Sequence, residues 1–134
     1  MTRAFADTNI LVYAFGEEPK TEPARRIIEA GGVLSVQSLN EFANVARRKL
    51  KYSWIEIETA LAALKISFSE IVMLDMDVHQ QGLQIAQRYN LSIYDSMIIA
   101  AALGADCDTL YSEDMQDGLV VDGRLRIVNP FAVK

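Results

Sequence analysis

Short apolar runs alternate along this chain with longer stretches in which apolar residues recur every third or fourth position. The run RAFA at 3–6 ends on Asp7 and predicts a short buried strand. From Asn9 to Phe15 the chain is apolar on most sides, which predicts a buried helix. GEEPK at 16–20 reads as a loop, and Thr21 to Ala30 as a helix stopped by Gly31-Gly32. VLSV at 33–36 predicts a second strand. Ser38 to Leu50 predicts a helix, with Leu39, Phe42, Ala43, Ala46 and Leu50 at helical spacing. A further amphipathic helix carries Trp54, Ile57, Leu61 and Leu64 on one stripe. EIVMLD at 70–75 predicts a strand, and Asp77 to Tyr89 a helix. Asp95 to Leu103 predicts a helix buried on most sides, because SMIIAAAL offers no polar face. TLYS at 109–112 is a strand, SEDMQDG a loop, and LRIVNP at 125–130 a last strand stopped by Pro130.

Strands alternating with helices predict an α/β chain: a three-layer α/β/α fold around a mostly parallel central sheet. No linker, internal repeat or low-complexity tract divides the sequence, so one domain is expected over residues 1–134.

Composition acts mainly by exclusion. With 51% hydrophobic and 23% charged residues, the chain can bury a core and is not a disordered sequence. A net charge of −5 argues against a generic basic nucleic-acid binder. It does not argue against an enzyme that reaches phosphate through cations, because bound metal reverses the local sign. The charge is uneven: residues 47–51 read RRKLK, a basic patch whose plain reading is a solvated face. Cys107 is the only cysteine, so no intrachain disulfide can form, which suits a reducing compartment and a small buried thiol. No secretory signal and no apolar run near the ~20 residues of a membrane span is seen, so a soluble, cytoplasmic protein without membrane contact is expected. His79 is the only histidine, which disfavours two-histidine acid–base chemistry within one chain. It lies far in sequence from the acids and reads as structural. No G-x-S-x-G elbow, P-loop or G-x-G-x-x-G occurs.

The remaining chemistry lies in four acids. In open parallel sheets, sites form beyond the carboxyl ends of strands. Asp7 directly follows the first strand, and Asp114 lies in the loop after TLYS. Glu41 falls in the first turn of the helix after the second strand, and Asp95 at the start of the buried helix. Each has a plain structural reading. Asp7 can close an Asx-turn. Ser38-Leu39-Asn40-Glu41 fits a capping box. Asp95 can be an N-cap, and Asp114 a loop acid. Together, clustered carboxylates repel unless a cation sits among them. An all-oxygen set of this kind suits Mg²⁺ or Mn²⁺, which activate water and steady an in-line phosphoryl displacement.

Four blocks in order, FADTNILVYAF, SLNEF, LSIYDSMIIAAA and LYSEDMQDG, with RIVNPF at the end, resemble the PIN-domain nucleases. In particular they resemble the VapC-like toxins of toxin–antitoxin pairs, over essentially the whole chain. The resemblance implies a ribonuclease whose acidic site is Asp7, Glu41, Asp95 and Asp114, holding one or two Mg²⁺ or Mn²⁺ ions, with Asp7, Asp95 and Asp114 as ligands. It implies support from Asn9 and Ser112 by hydrogen bonds; a turn Asn and a strand-end Ser are the plain alternatives. It further implies an RNA substrate cut to 5′-phosphate and 3′-hydroxyl ends, a small antitoxin partner and a homodimer. Glu113 and Asp117 can join the metal shell or face water. The rival expectations are a PIN module that binds RNA or protein without cutting, for which the Trp54 stripe is a candidate surface or else core, and a PIN nuclease acting on DNA or outside any toxin pair.

Overall fold

The computed structural model describes residues 2–132; Met1, Val133 and Lys134, the ends of the expected 1–134 unit, lie outside the described residues. Six strands form one sheet: β1 (Ala4–Ala6), β2 (Val33–Ser35), β3 (Glu70–Val72), β4 (Thr109–Tyr111), β5 (Val120–Val121) and β6 (Leu125–Val128). Their order is β3-β2-β1-β4-β6-β5. All neighbours run parallel except the edge pair β5–β6. The helices are α1 (Thr8–Ala14), α2 (Thr21–Ala30), α3 (Val36–Arg48), α4 (Trp54–Ser67), α5 (Met76–Tyr89) and α6 (Ile93–Gly104).

The strands are only two to four residues long, yet their alternation builds two cores. Phe5, Val33 and Leu110 face α5 and α6, packing with Ile85, Ile99 and Ala102. Ala6 and Leu34 face the other way, onto Ile10, Leu11, Ala24, Phe42, Ile57 and Leu64 of α1 to α4. The three-layer α/β/α arrangement and the mostly parallel sheet are therefore as expected. Cys107 is a free, buried thiol; burial, the main cause, pushes its pKa up to about 11, so it is unreactive near neutrality.

Several boundaries differ from expectation, and the reasons bear on the site. Val36 belongs to α3, not to the second strand. The N-cap of α3 is Ser35, whose Oγ accepts the Ser38 N–H at 3.0 Å, so the expected capping box from Ser38 to Glu41 does not form. Glu41 lies beyond the first turn and has no capping task. The third strand stops at Val72, because Asp75 caps α5 through the Val78 N–H. Ser92, not Asp95, caps α6: its Oγ accepts the Asp95 N–H at 3.1 Å. The short strand β5 carries little periodic signal and was not expected. Along the Trp54 stripe, Ile57 and Leu64 are core and Leu61 is half-buried, whereas Trp54 is 63% exposed.

The glycine pair after α2 is needed for more than stopping a helix. Gly31 and Gly32 both have positive φ (80° and 126°), and a Cβ on Gly32 would sit 2.3 Å from the Ala4 carbonyl oxygen. That close approach lets the chain enter β2 beside β1.

Candidate active site

At the carboxyl ends of β1 and β4 the helices part to leave a pocket of about 500 Å³. Asp7, Glu41, Asp95 and Asp114, contributed by four distant segments, all line it. Asp7 is delivered by β1, whose continuation is clamped where the Asp7 N–H donates to the Tyr111 carbonyl at 2.9 Å. Its carboxylate is held at both oxygens: Oδ1 accepts the Thr8 N–H and Oδ2 accepts the Ser112 hydroxyl, each at 2.8 Å. Ser112 is fully buried, and its N–H donates to Val128 of β6 at 3.0 Å. The strand-end serine therefore ties the site to the sheet.

Burial raises the pKa of Asp7 above the ordinary carboxylate value. The bonds from Ser112 and Thr8 oppose this, while the nearby charges of Asp95 and Glu41 add to it. Glu41 reaches the same neighbourhood from α3. Thr8 Oγ1 donates to its Oε2 at 2.7 Å, and Gln37 Nε2 to its Oε1 at 3.1 Å. Asn9 links the other side: Nδ2 donates to Asp114 Oδ2 and Oδ1 accepts the Glu113 N–H, both at 3.2 Å. Asn9 is thus hydrogen-bonded to Asp114 and Ser112 to Asp7.

Glu113 and Asp117 turn elsewhere. The Glu113 carboxylate receives Tyr13 Oη and Lys20 Nζ, each at 2.5 Å, which lowers its pKa, the Lys20 bond most. Lys20 also lies 4.4 Å from the Tyr13 ring centroid. This cluster pins the loop carrying Asp114 to α1. Asp117 is exposed and accepts the Asn129 N–H at 2.8 Å.

His79, far in sequence from the acids and read as structural, is exposed on α5 and lines the pocket, as does Asp75. One wall is apolar, formed by Leu74, Ile93, Tyr94, Met97 and Ile98. Thr8 and Gln37 were also missed as partners of Glu41. Gln37 stands four residues before Glu41, the spacing at which helical side chains meet, so that pair had a signal once the helix start was known. His79 had none, because only the packing of α5 on α6 brings it here.

The donor set is dominated by hard oxygen ligands that suit a divalent cation: five carboxylates, the amides of Asn9 and Gln37 and the hydroxyls of Thr8 and Tyr94, beside the single imidazole of His79 and the Met97 thioether, with no thiol. Asp7, buried beside two other acids, is the group whose ionised form a cation would most favour. As the side chains stand, no three His, Cys, Asp or Glu residues among the described residues are arranged to hold a metal ion. Mg²⁺ commonly takes one or two carboxylates and completes its shell with water, so that arrangement is compatible with the donor chemistry.

A sequence profile of the PIN domain matches residues 4–116. No curated protein matches in sequence. Among solved structures, a toxin–antitoxin complex from Klebsiella pneumoniae is similar at TM-score 0.74 and 22% identity, over 97% of this chain and 99% of that one. VapC20 of Mycobacterium tuberculosis, described as a sarcin–ricin loop cleaving toxin, is similar at TM-score 0.63 and 16% identity, over 80% and 86%. DNA-bound VapBC from Salmonella typhimurium is similar at TM-score 0.62 and 19% identity, over 95% and 97%. At such identities the likeness is one of fold.

Proposed function

The chain belongs to the PIN-domain family, and from that premise we propose that it is a metal-dependent endoribonuclease, the toxin of a toxin–antitoxin pair. The observation that carries this reading is one pocket lined by four acids from distant segments, with Asp7 anchored at both oxygens. Asp7, Asp95 and Asp114 would hold one or two Mg²⁺ or Mn²⁺ ions. Bound there, such an ion neutralises phosphate charge and makes water a competent nucleophile near neutral pH.

The chain's own residues do the positioning. Ser112 and the Thr8 N–H keep Asp7 in one orientation, and Asn9 does the same for Asp114. Glu41, relieved of capping and steered by Thr8 and Gln37, either ligates or orients the attacking water. The apolar wall with Tyr94 shields one side of the pocket from water and offers an aromatic face to an unstacked base. The whole chain acts as one PIN-like unit, as a homodimer, restrained by a small antitoxin; the solved complexes of similar fold support that partner. With RNA as its substrate it would act in the cytoplasm. No helix among the described residues is long and apolar enough to cross a membrane.

The test is cleavage of labelled single-stranded RNA by purified protein with Mg²⁺, with Mn²⁺ and with chelator, beside Asp95→Asn. Metal-dependent cutting that the variant lacks is the expected result. Cutting in chelator, or at the wild-type rate by Asp95→Asn, would sink the assignment.

A further inference from the structure

An acidic protein that acts on a polyanion needs somewhere to hold the strand away from its own carboxylates. Four of the chain's 13 Lys and Arg residues, Arg47, Arg48, Lys49 and Lys51, fall within five positions at the end of α3. All four are exposed. Among the described residues none of them forms a salt bridge, whereas Arg3, Lys20, Arg26, Arg88 and Arg124 each pair with an acid. Arg47 donates to the Tyr52 carbonyl at 3.0 Å and places its guanidinium 4.7 Å from the ring centroid of the exposed Trp54. Arg25, Lys65 and Arg126 likewise form no salt bridge among the described residues, but they lie far apart in the sequence, whereas the patch gathers four such cations within five positions.

The patch also has a fixed relation to the pocket. Gln37 and Glu41 line the pocket. Gln37, Glu41, Asn44 and Arg48 stand at successive spacings of four, three and four, which puts them on one face of α3. All four are exposed. Seven residues separate Glu41 from Arg48, about 10 Å along the axis, or about three stacked nucleotides. A shallow concavity lined by Asn44, Val45, Arg48 and Lys49 lies on that path.

We propose that the exposed face of α3 is a track for single-stranded RNA, along which Arg48, Lys49 and Lys51 hold the phosphates of the strand running out of the acidic pocket and Trp54 with Arg47 receives a base at its far end. This deepens the ribonuclease reading and rests on it for the identity of the strand. Charge and an aromatic face together favour this occupant: unpaired cations on a net-acidic chain bind a polyanion with release of its counterions, and an exposed Trp beside a guanidinium suits base stacking.

The experiment measures binding apart from cleavage. Anisotropy of a labelled single-stranded RNA of about 20 nucleotides is followed on Asp95→Asn protein in chelator, between about 50 and 200 mM salt. On that background, Arg48→Ala/Lys49→Ala/Lys51→Ala should weaken binding at least tenfold and lower the slope of log affinity against log salt by about 2, near 0.7 for each phosphate no longer neutralised. Arg48→Lys/Lys49→Arg should keep the slope, and Trp54→Ala should weaken binding at all salt concentrations without changing it. Unchanged affinity and slope in the triple variant, or no binding by the parent protein, overturn the track and leave the patch to a protein partner. Failure of cleavage with binding intact would overturn the ribonuclease reading and not the track.

Discussion

At the scale of single residues, the candidate site depends on how one carboxylate is treated. Asp7 sits at a strand end with both oxygens satisfied, and burial still raises its pKa, with Asp95 and Glu41 adding to the effect. The folded chain therefore binds the Asp7 proton more tightly than the unfolded chain does. Its favourable contribution is complete below the ordinary value of 3.8 and is lost as pH rises through the higher folded value. Without metal, Asp7→Asn should melt above wild type near neutral pH, and the gap should close as pH falls toward 3.8. Melting curves of both proteins in chelator across that range check this. A variant less stable at neutral pH would show that Asp7 has a structural task that outweighs its charge. Adding Mg²⁺ should raise the melting temperature of wild type and leave Asp7→Asn almost unmoved, since a ligand that binds only the folded state stabilises it.

At the scale of elements, the caps decide which acids are available. Ser35 and Ser92 take the capping tasks that would otherwise fall to Ser38 and Asp95. The motif Ser-x-x-Glu at 38–41 was legible, but its reading as a cap depended on where the helix began. That start was set by β2 ending one residue early, so that α3 begins at Val36. The start of α6 likewise lies two residues earlier than expected, at Ile93, with Ser92 as its cap. In both cases an acid counted as a local cap was released to line the pocket. Ser92→Ala should cost about 1 kcal/mol in chemical denaturation. A cost near zero would mean that Asp95 or water caps α6 equally well.

For the molecule as a whole, the alternation of the strands separates two cores, one against α5 and α6 and one against α1 to α4. Ile99 and Ile10 are fully buried in different cores, on opposite sides of the sheet. Ile99→Val and Ile10→Val should each cost about 0.5–1.5 kcal/mol. Their sum should match the double variant within about 0.5 kcal/mol, because distant sites without shared partners add. A larger discrepancy in denaturant titrations would mean that the thin sheet transmits strain between its faces.

The alternation of apolar runs and helical periodicities by itself determined the layered α/β/α fold, because each pattern has only one way to bury its apolar face. It also placed Asp7, Glu41, Asp95 and Asp114 near strand ends and helix starts, whereas Asn9 and Ser112 were implied only by the resemblance to the PIN-domain nucleases. Only the tertiary structure decided the rest. Strand order set which loops are neighbours, and so brought Asp114 against Asn9 across 105 positions. The packing of α5 on α6 carried His79 to the pocket, and the turn into α5 brought Leu74 there, which no local pattern encodes. Glu113, as acidic in sequence as Asp114 next to it, was drawn away by Tyr13 and Lys20. Local periodicity reports which face of an element is buried; which polar side chains then meet depends on how elements far apart in sequence pack together.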